Sequence, residues 1–329
     1  MSGSPSSSVM DQNTTNSTNS TPGDCGLSEM PARSFFISVY SLIFVASLAL
    51  NSITIYVYFC KATRQSSITV YLKNLVIADL FVCLCLILRI IKNANTSVEI
   101  QLIYCNFGAP ASYLNMYSSI LFMGYIAANR YMKIVRPLET HWLQTVRATH
   151  YICTVTWAVL LCFACVYIVV FVSADKENIP LSGFSCDGFH NSLLKQIYLV
   201  MHITAFLVFI SVLVSLILFY WLNVQKLRQA QRTMPEQPGN IKLSKSKRNM
   251  RVLVLVFCVC FVPYHMVRLP HVFISPLLQD CKAAQVFNIL KELTVVLAVL
   301  NVSLDPLIYF VFCKTFRAQF NLQRFQQSN

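Results

Sequence analysis

Seven long stretches of mostly apolar residues follow one another along this chain, and short polar connectors separate them. A helix that crosses a lipid bilayer needs about 20 such residues, because each residue advances it by about 1.5 Å. The stretches cover 35–59, 69–91, 104–134, 149–172, 195–223, 249–274 and 286–310; the second, third and seventh also contain charged residues. The sequence therefore predicts an all-α membrane protein, a bundle of seven transmembrane helices.

The composition favours the same class. Hydrophobic residues make up 56% of the chain and charged residues only 12%, whereas soluble domains average about 45–50% and about 25%. A water-soluble fold of this size could not cover itself with so few charges.

Acidic and basic residues are separated between alternate connectors, which predicts an orientation. Since Lys and Arg stay on the cytoplasmic side of a membrane, the connector 224–248 is predicted to lie inside. Its basic residues and their neighbours are Lys226, Arg228, Arg232, Lys242, Lys245, Lys247, Arg248 and Arg251. Most acids lie in segments predicted to be outside: Asp11, Asp24, Glu29, Glu99, Asp175, Glu177, Asp187 and Asp280. This pattern explains the net charge of +13 without nucleic-acid binding.

The regions before and after the helices are predicted to differ in character. Residues 1–34 form a polar extracellular tail, and 35–310 form the membrane domain. The tail has three glycosylation sequons and a fourth follows the second stretch; the acceptors are Asn13, Asn16, Asn19 and Asn95. Residues 311–329 combine a short amphipathic helix with a cytoplasmic tail, because aromatic and basic residues alternate over 314–320. Cys313 is a candidate for palmitoylation.

Four of the 13 cysteines lie in segments predicted to be outside, namely Cys25, Cys105, Cys186 and Cys281. Because the outside is oxidising, they are expected to form two disulfides. Three pairings are possible, and the sequence alone does not choose between them.

Four polar residues lie deep within apolar stretches, where each needs a partner. They are Asp79, Asp305, Asn51 and Asn301. Their oxygens are suited to a small cation such as sodium, and the alternative is a hydrogen-bonded network without an ion. No other metal or cofactor is indicated.

A group of cationic and aromatic residues is predicted near the outer surface. Arg268 lies about 9 Å, and Lys291 about 8 Å, below the ends of their stretches at helical rise. His265 shares a helix face with Arg268, and Tyr113 shares one with Tyr117, because residues three or four apart are neighbours. Arg89 lies at the outer end of the second stretch, so the full set is Arg268, His265, Lys291, Arg89, Tyr113 and Tyr117. Such side chains suit an anionic ligand with a flat ring; the alternative is cations that pair locally, as Lys291 could with Glu292.

Short motifs over 35–325 resemble the class A (rhodopsin-like) G-protein-coupled receptors. They are Asn51, Leu75 to Leu80 around Asp79, Cys105 with Cys186, Asn129-Arg130-Tyr131, Trp157, Cys260-Phe261-Val262-Pro263 and Asp305-Pro306-Leu307-Ile308-Tyr309. Finer features, Phe261 to Pro270 and Lys291-Glu292-Leu293-Thr294, are similar to the purinergic subfamily, and within it to the cluster of ADP receptors, UDP-sugar receptors and orphans.

This resemblance implies a plasma-membrane receptor for an extracellular nucleotide or nucleotide sugar, acting through inhibitory heterotrimeric G proteins, with arrestin as a further partner. It implies the disulfides Cys105–Cys186 and Cys25–Cys281, and anion contacts at His265, Arg268 and Lys291. It also implies an activation switch made of Arg130, Tyr220, Phe261, Pro263 and Tyr309. Asn129 departs from the family pattern, because most members have an acid there beside the arginine.

Two other functions are weighed against this one. A lysophospholipid receptor of the same class would hold a lipid headgroup with the same cations. A transporter would show internal repeats and broken helices, and the two halves of the chain show no repeat. An enzyme is not expected, because the polar connectors contain no nucleophile, phosphate-loop or metal motif.

Overall fold

The seven predicted helices are all present in a computed structural model, which describes residues 33–61, 66–95, 97–135, 142–173, 186, 192–233, 238–278 and 280–312. We number them α1 to α7 in chain order. Their bounds are Arg33–Ile55 for α1, Ser67–Ala94 for α2, Val146–Val172 for α4, Ser192–Thr233 for α5, Pro238–Ile274 for α6 and Cys281–Phe312 for α7. Helix α3 consists of Val98–Ile103, a π-helical turn Tyr104–Gly108 and Ala109–Val135, which follow one another directly. A second π-helical turn, Tyr56–Lys61, continues α1.

Six of these helices, all except α3, are long and apolar enough to cross a membrane. Helix α3 is more polar because it occupies the centre of the bundle, where it packs against α2, α4, α5, α6 and α7. A helix surrounded by other helices does not need an apolar surface towards lipid. The prediction of an all-α bundle with seven helices is confirmed, and the described residues contain no β-strand.

Helical structure extends from both sides into the predicted connector between α5 and α6. Helix α5 continues to Thr233 and α6 begins at Pro238, whereas the apolar stretches end at 223 and begin at 249. Apolar length measures the part of a helix that lies in lipid. It does not measure the helix itself, and residues such as Gln, Lys, Arg and Leu favour helix after it leaves the bilayer.

The interior of the bundle is aromatic and aliphatic. Its largest fully buried side chains include Phe122 of α3, Phe209 of α5 and the pair Phe257 and Phe261 of α6. The rings of Phe209 and Phe257 are parallel at 5.8 Å between centroids. Large apolar side chains such as Leu42, Leu84 and Val169 are exposed around the perimeter, as expected where lipid replaces water.

A disulfide between Cys105 and Cys186 defines one end of the bundle, which we call the disulfide end. It ties α3 to the segment before α5, with 5.4 Å between the two Cα atoms, and it confirms one predicted pairing. Cys281 is also disulfide-bonded; Cys25, its predicted partner, lies outside the described residues.

Several other predictions also fall outside the described residues. These are the sequons at Asn13, Asn16 and Asn19, Cys313, and the amphipathic helix after α7. The fourth sequon is described: Asn95 is exposed at the C-terminus of α2, and its side-chain oxygen accepts a hydrogen bond from the backbone amide of Ser97.

Candidate ligand-binding site

Arg268 is the centre of a hydrogen-bonded group in the half of the bundle nearest the disulfide end. Its Nη2 donates to the hydroxyl of Tyr113 at 3.0 Å and to that of Tyr198 at 2.5 Å, and its Nε lies 3.4 Å from Nε2 of His202. We call these four residues the Arg268 cluster. Tyr198 and His202 lie one turn apart on α5, which presents both to α6. Arg268 is buried, so its charge is held by three polar side chains from two helices, α3 and α5.

One turn further into the bundle, His265 lies on the same face of α6 as Arg268, as the spacing predicts. Its Nδ1 contacts the carbonyl oxygen of Phe261 at 2.8 Å, and its Nε2 lies 3.2 Å from the hydroxyl of Tyr117. Because a carbonyl only accepts, Nδ1 carries the proton, and in the neutral ring Nε2 accepts from Tyr117. The imidazole also stacks on Phe209, with 3.9 Å between ring centroids. Four predicted ligand contacts thus lie in two adjoining layers.

Arg89 belongs to a second group, formed by α1, α2, α3 and α7. Its Nη2 donates to Oε2 of Glu292 at 2.8 Å and its Nη1 donates to the hydroxyl of Tyr104 at 2.8 Å. The guanidinium also lies over the ring of Tyr40, 4.7 Å from its centroid. We call Tyr40, Arg89, Tyr104 and Glu292 the Arg89 cluster. Arg89 is therefore engaged with protein partners, as well as being a predicted ligand contact.

Lys291 lies at the border of the Arg89 cluster. Its Nζ is 3.9 Å from Oε1 of Glu292, and 18% of its side chain is exposed. This separation exceeds a normal hydrogen bond, so Glu292 holds Arg89 tightly and Lys291 loosely. The ammonium group of Lys291 is the more accessible of the two cations.

Asp79 and Asp305 form a buried carboxylate centre midway along the bundle. Asp79 accepts hydrogen bonds from the hydroxyl of Tyr309 at 2.8 Å and from the amide of Asn115 at 3.3 Å. Asp305 accepts from the amide of Asn301 at 3.1 Å. Polar side chains from α2, α3 and α7 therefore meet here. Asp79, Asn301 and Asp305 belong to the predicted set, and Asn115 does not.

Asn51, the fourth residue of the predicted cation site, bonds elsewhere. Its amide nitrogen donates to the carbonyl oxygens of Ser47 and Val302, both at 3.0 Å, and so ties α1 to α7. Its side-chain oxygen has no hydrogen-bond partner among the described residues, and the same holds for one oxygen each of Asn301 and Asp305. Nor do the described residues contain three or more His, Cys, Asp or Glu side chains placed to hold a metal ion.

The sequence is similar to those of known proteins. Residues 50–309 match the family model for the 7 transmembrane receptor (rhodopsin family). The chain belongs to this family. Purinoceptor 14 of Bos taurus is 30% identical to it over 301 residues, which cover 90% of this chain and 87% of that protein. G-protein coupled receptor 87 of Mus musculus is 31% identical over 281 residues, with coverages of 84% and 76%.

A further relative, purinoceptor 13 of Homo sapiens, is 29% identical over 286 residues, covering 85% of this chain and 78% of that protein. The predicted resemblance to purinergic-like class A receptors is confirmed. The protein is a multi-pass membrane receptor and not an enzyme, since the family is one of receptors.

The residues predicted to switch the receptor lie along α3, α5, α6 and α7. Phe261 is fully buried against Phe257, 5.3 Å between ring centroids, and Pro263 lies within the continuous helix α6. Tyr220 packs half-buried against the main core. Tyr309 bonds to Asp79, so it belongs to the carboxylate centre as well as to the predicted switch.

Arg130 and Asn129 lie at the end of the bundle opposite the disulfide. The Arg130 guanidinium lies over the ring of Phe312, 5.0 Å from its centroid. Asn129 is buried at 1% exposure, and neither polar atom of its side chain has a hydrogen-bond partner among the described residues. An amide that replaces an acid at this position therefore forms no local pair there.

The sequence did not predict several residues of the Arg268 cluster, the Arg89 cluster and the carboxylate centre. Tyr198 and His202 could have been found, because they are polar residues one turn apart within the fifth apolar stretch. Asn115 of α3 is polar within an apolar stretch and was equally visible. Tyr40 and Tyr104 gave no such signal, since a tyrosine near a helix end is common at a membrane interface.

Proposed function

We propose that this receptor lies in the plasma membrane with its disulfide end outside. Its ligand is an extracellular anion, a nucleotide or nucleotide sugar, which binds at the Arg268 cluster. The observation that carries the proposal is the set of hydrogen bonds from buried Arg268 to Tyr113, Tyr198 and His202. The two hydroxyls and the ring nitrogen accept from the guanidinium in positions that phosphate oxygens would take.

A phosphate would be a stronger partner for Arg268 than these neutral groups. A phosphate adds a negative charge that attracts the guanidinium, and the guanidinium fork matches two phosphate oxygens. The displaced hydroxyls of Tyr113 and Tyr198 can then donate to the same phosphate. The half-buried aromatic rings of Tyr113 and Tyr117 supply the faces on which a base would stack.

Lys291 and Arg89 supply the remaining positive charge. Lys291 is partly exposed and only loosely paired with Glu292, so a ligand phosphate can bind it without breaking a strong contact. Arg89 would be reached by a ligand that opens its ion pair with Glu292. The names of two relatives, purinoceptors 13 and 14, support a ligand of this chemical class.

Signalling would follow from a shift in the populations of two arrangements of the bundle. The agonist must bind the active arrangement more tightly, since equal affinity would shift nothing. By drawing α6 towards the phosphate, Arg268 would repack Phe261 and move the far end of α6. A heterotrimeric G protein, of the inhibitory type by family resemblance, would bind the end with Arg130, and arrestin would bind there after activation.

The buried carboxylate centre offers oxygen atoms that could coordinate a sodium ion, which would act as an allosteric ligand. Three oxygens, on Asn51, Asn301 and Asp305, have no hydrogen-bond partner among the described residues. Ser119 of α3, one turn after Asn115, is fully buried and its hydroxyl is also unpartnered within that set. Hard cations select oxygen ligands of this kind.

A signalling screen tests the proposed ligand class. Cells expressing the full chain are exposed to nucleotides, nucleotide sugars and lysophospholipids, and inhibition of cyclic AMP formation is recorded with and without blockade of inhibitory G proteins. We expect a response to at least one nucleotide or nucleotide sugar that the blockade removes. A response to lysophospholipids alone would assign the site to lipid headgroups and contradict the proposal.

A further inference from the structure

A small cleft lies between α3 and α5 at the end of the bundle opposite the disulfide. It has a volume of about 280 Å³, including the part open to solvent, and is lined by Tyr131, Leu222, Gln225, Lys226 and Gln229. The four residues of α5 occupy positions i, i+3, i+4 and i+7, which places them on one face of the helix. The cleft thus combines one cation and several hydrogen-bond donors with an apolar floor.

Two of its polar groups lack protein partners. Lys226 and Gln225 are exposed, and neither forms a hydrogen bond or ion pair with any other residue that the structure describes. The ring of Tyr131 stacks on Phe219, with 5.0 Å between centroids and 23° between planes, which fixes where its hydroxyl lies. The cleft is therefore held in shape by aromatic packing and presents unused donors.

The surroundings of the cleft are strongly basic. Over residues 124–135, 142–150, 217–233 and 238–256, all of them described, the chain has no acidic residue. The same ranges contain Arg130, Lys133, Arg147, Lys226, Arg228, Arg232, Lys242, Lys245, Lys247, Arg248 and Arg251. An anion has the complementary charge. A phosphate group is an anion that binds Lys and accepts hydrogen bonds.

The depth of the cleft relative to the membrane identifies the source of that phosphate. Leu222 belongs to the apolar stretch 195–223, and Lys226 lies three residues beyond its end, a rise of about 5 Å. The headgroup layer on each side of a bilayer is about 5–8 Å thick, so Lys226 reaches the level of lipid phosphates. Trp221, beside Leu222, is 53% exposed, as is typical of a tryptophan at the membrane interface.

The cleft is also separate from the crevice proposed for the G protein. Arg130 packs over Phe312 of α7, whereas its neighbour Tyr131 faces Phe219 of α5. The two side chains therefore leave α3 in different directions, and the cleft lies on the α5 side. We propose that this cleft binds the headgroup of an anionic phospholipid, with Lys226 on the phosphate and the acyl chains along Leu222 and Trp221.

Native mass spectrometry of the full-length receptor tests the proposal. The protein is released from nanodiscs that contain phosphatidylcholine and phosphatidylserine, and the ratio of the two bound lipids is compared with their ratio in the nanodisc. We expect wild type to be enriched in phosphatidylserine and Lys226→Gln to lose about fivefold of that enrichment. Tyr131→Phe keeps the ring stacked on Phe219 and removes only the hydroxyl, so we expect a smaller loss, of about threefold.

Two control variants distinguish a defined site from general attraction. Arg228→Gln removes a neighbouring exposed cation outside the cleft, and Lys195→Gln removes an exposed cation at the other end of α5. Both are expected to retain the wild-type enrichment. An unchanged ratio in Lys226→Gln, or an equal loss in Arg228→Gln, would overturn the proposal.

Two further measurements test whether the cleft binds free phosphate or the G protein instead of lipid. Inorganic phosphate added before release should not displace the lipid, and displacement would assign the cleft to a free ion. G-protein activation by Lys226→Gln should match wild type in nanodiscs of phosphatidylcholine alone. A deficit there would make Lys226 a contact of the G protein rather than of lipid. The phosphate measurement needs no agonist, and the activation measurement compares ligand-free signalling.

Discussion

Nη2 of Arg89 and Oε2 of Glu292 lie 2.8 Å apart, with only 8% and 16% of the two side chains exposed. This ion pair joins α2 to α7, helices that contribute to both the ligand-binding site and the carboxylate centre. The other carboxylate oxygen of Glu292 faces Lys291 at 3.9 Å. Glu292 thus sets how much positive charge remains for a ligand on this side of the site.

Removing either member of this pair should destabilise the receptor. Breaking one partner of a buried ion pair costs about 3–5 kcal/mol, because the other charge is left uncompensated. We expect Arg89→Gln and Glu292→Gln each to lower the thermal unfolding midpoint of the purified receptor. The double variant should lose less than the sum of the two, with a coupling free energy of about 0.5–3 kcal/mol.

Lys282→Gln is the matched control for this cycle, since Lys282 is an exposed cation in the first turn of α7. It should leave the midpoint unchanged. Additive losses in the double variant would show that the two charges do not stabilise each other.

Tyr198→Phe tests whether the hydroxyl that accepts from Arg268 at 2.5 Å positions the guanidinium. A hydrogen bond to a charged group is worth about 1.5–3 kcal/mol, so agonist potency should fall about tenfold or more. Tyr151→Phe is the control, because Tyr151 is 68% exposed on α4. Equal potency of Tyr198→Phe and wild type would remove Tyr198 from the site.

The sequence predicted the helices well and the contacts between them only in part. Apolar length defined seven spans, and helical spacing placed His265 below Arg268. The partners of Arg89 could not be predicted, because the contact between positions 89 and 292 depends on how α2 and α7 pack. The helical extension to Thr233 was missed because hydropathy reports lipid contact rather than helix formation.

Asp79→Asn tests the proposed sodium site. Loss of one carboxylate charge removes the main attraction for a cation and retains an oxygen for hydrogen bonding. Agonist binding to wild type should weaken as sodium chloride replaces choline chloride, and binding to Asp79→Asn should not respond. Sodium sensitivity that persists in the variant would place the ion elsewhere.

Asn129→Asp tests the role of the buried amide beside Arg130. A carboxylate at this position supplies a charge partner for the arginine and favours the inactive arrangement. We expect lower ligand-free G-protein signalling at equal surface expression. Basal signalling equal to wild type would show that Asn129 does not affect the switch.

The most direct test of the central claim is the potency of an active nucleotide or nucleotide sugar on Arg268→Ala and Lys291→Ala. Hydrogen bonds to charged groups are worth about 1.5–3 kcal/mol each, so potency should fall about tenfold to a hundredfold in either variant. Surface expression should be retained, and Lys282→Ala, which removes an exposed cation at the same end, should behave as wild type. Unchanged potency in both Arg268→Ala and Lys291→Ala would contradict an anion site formed by α6 and α7.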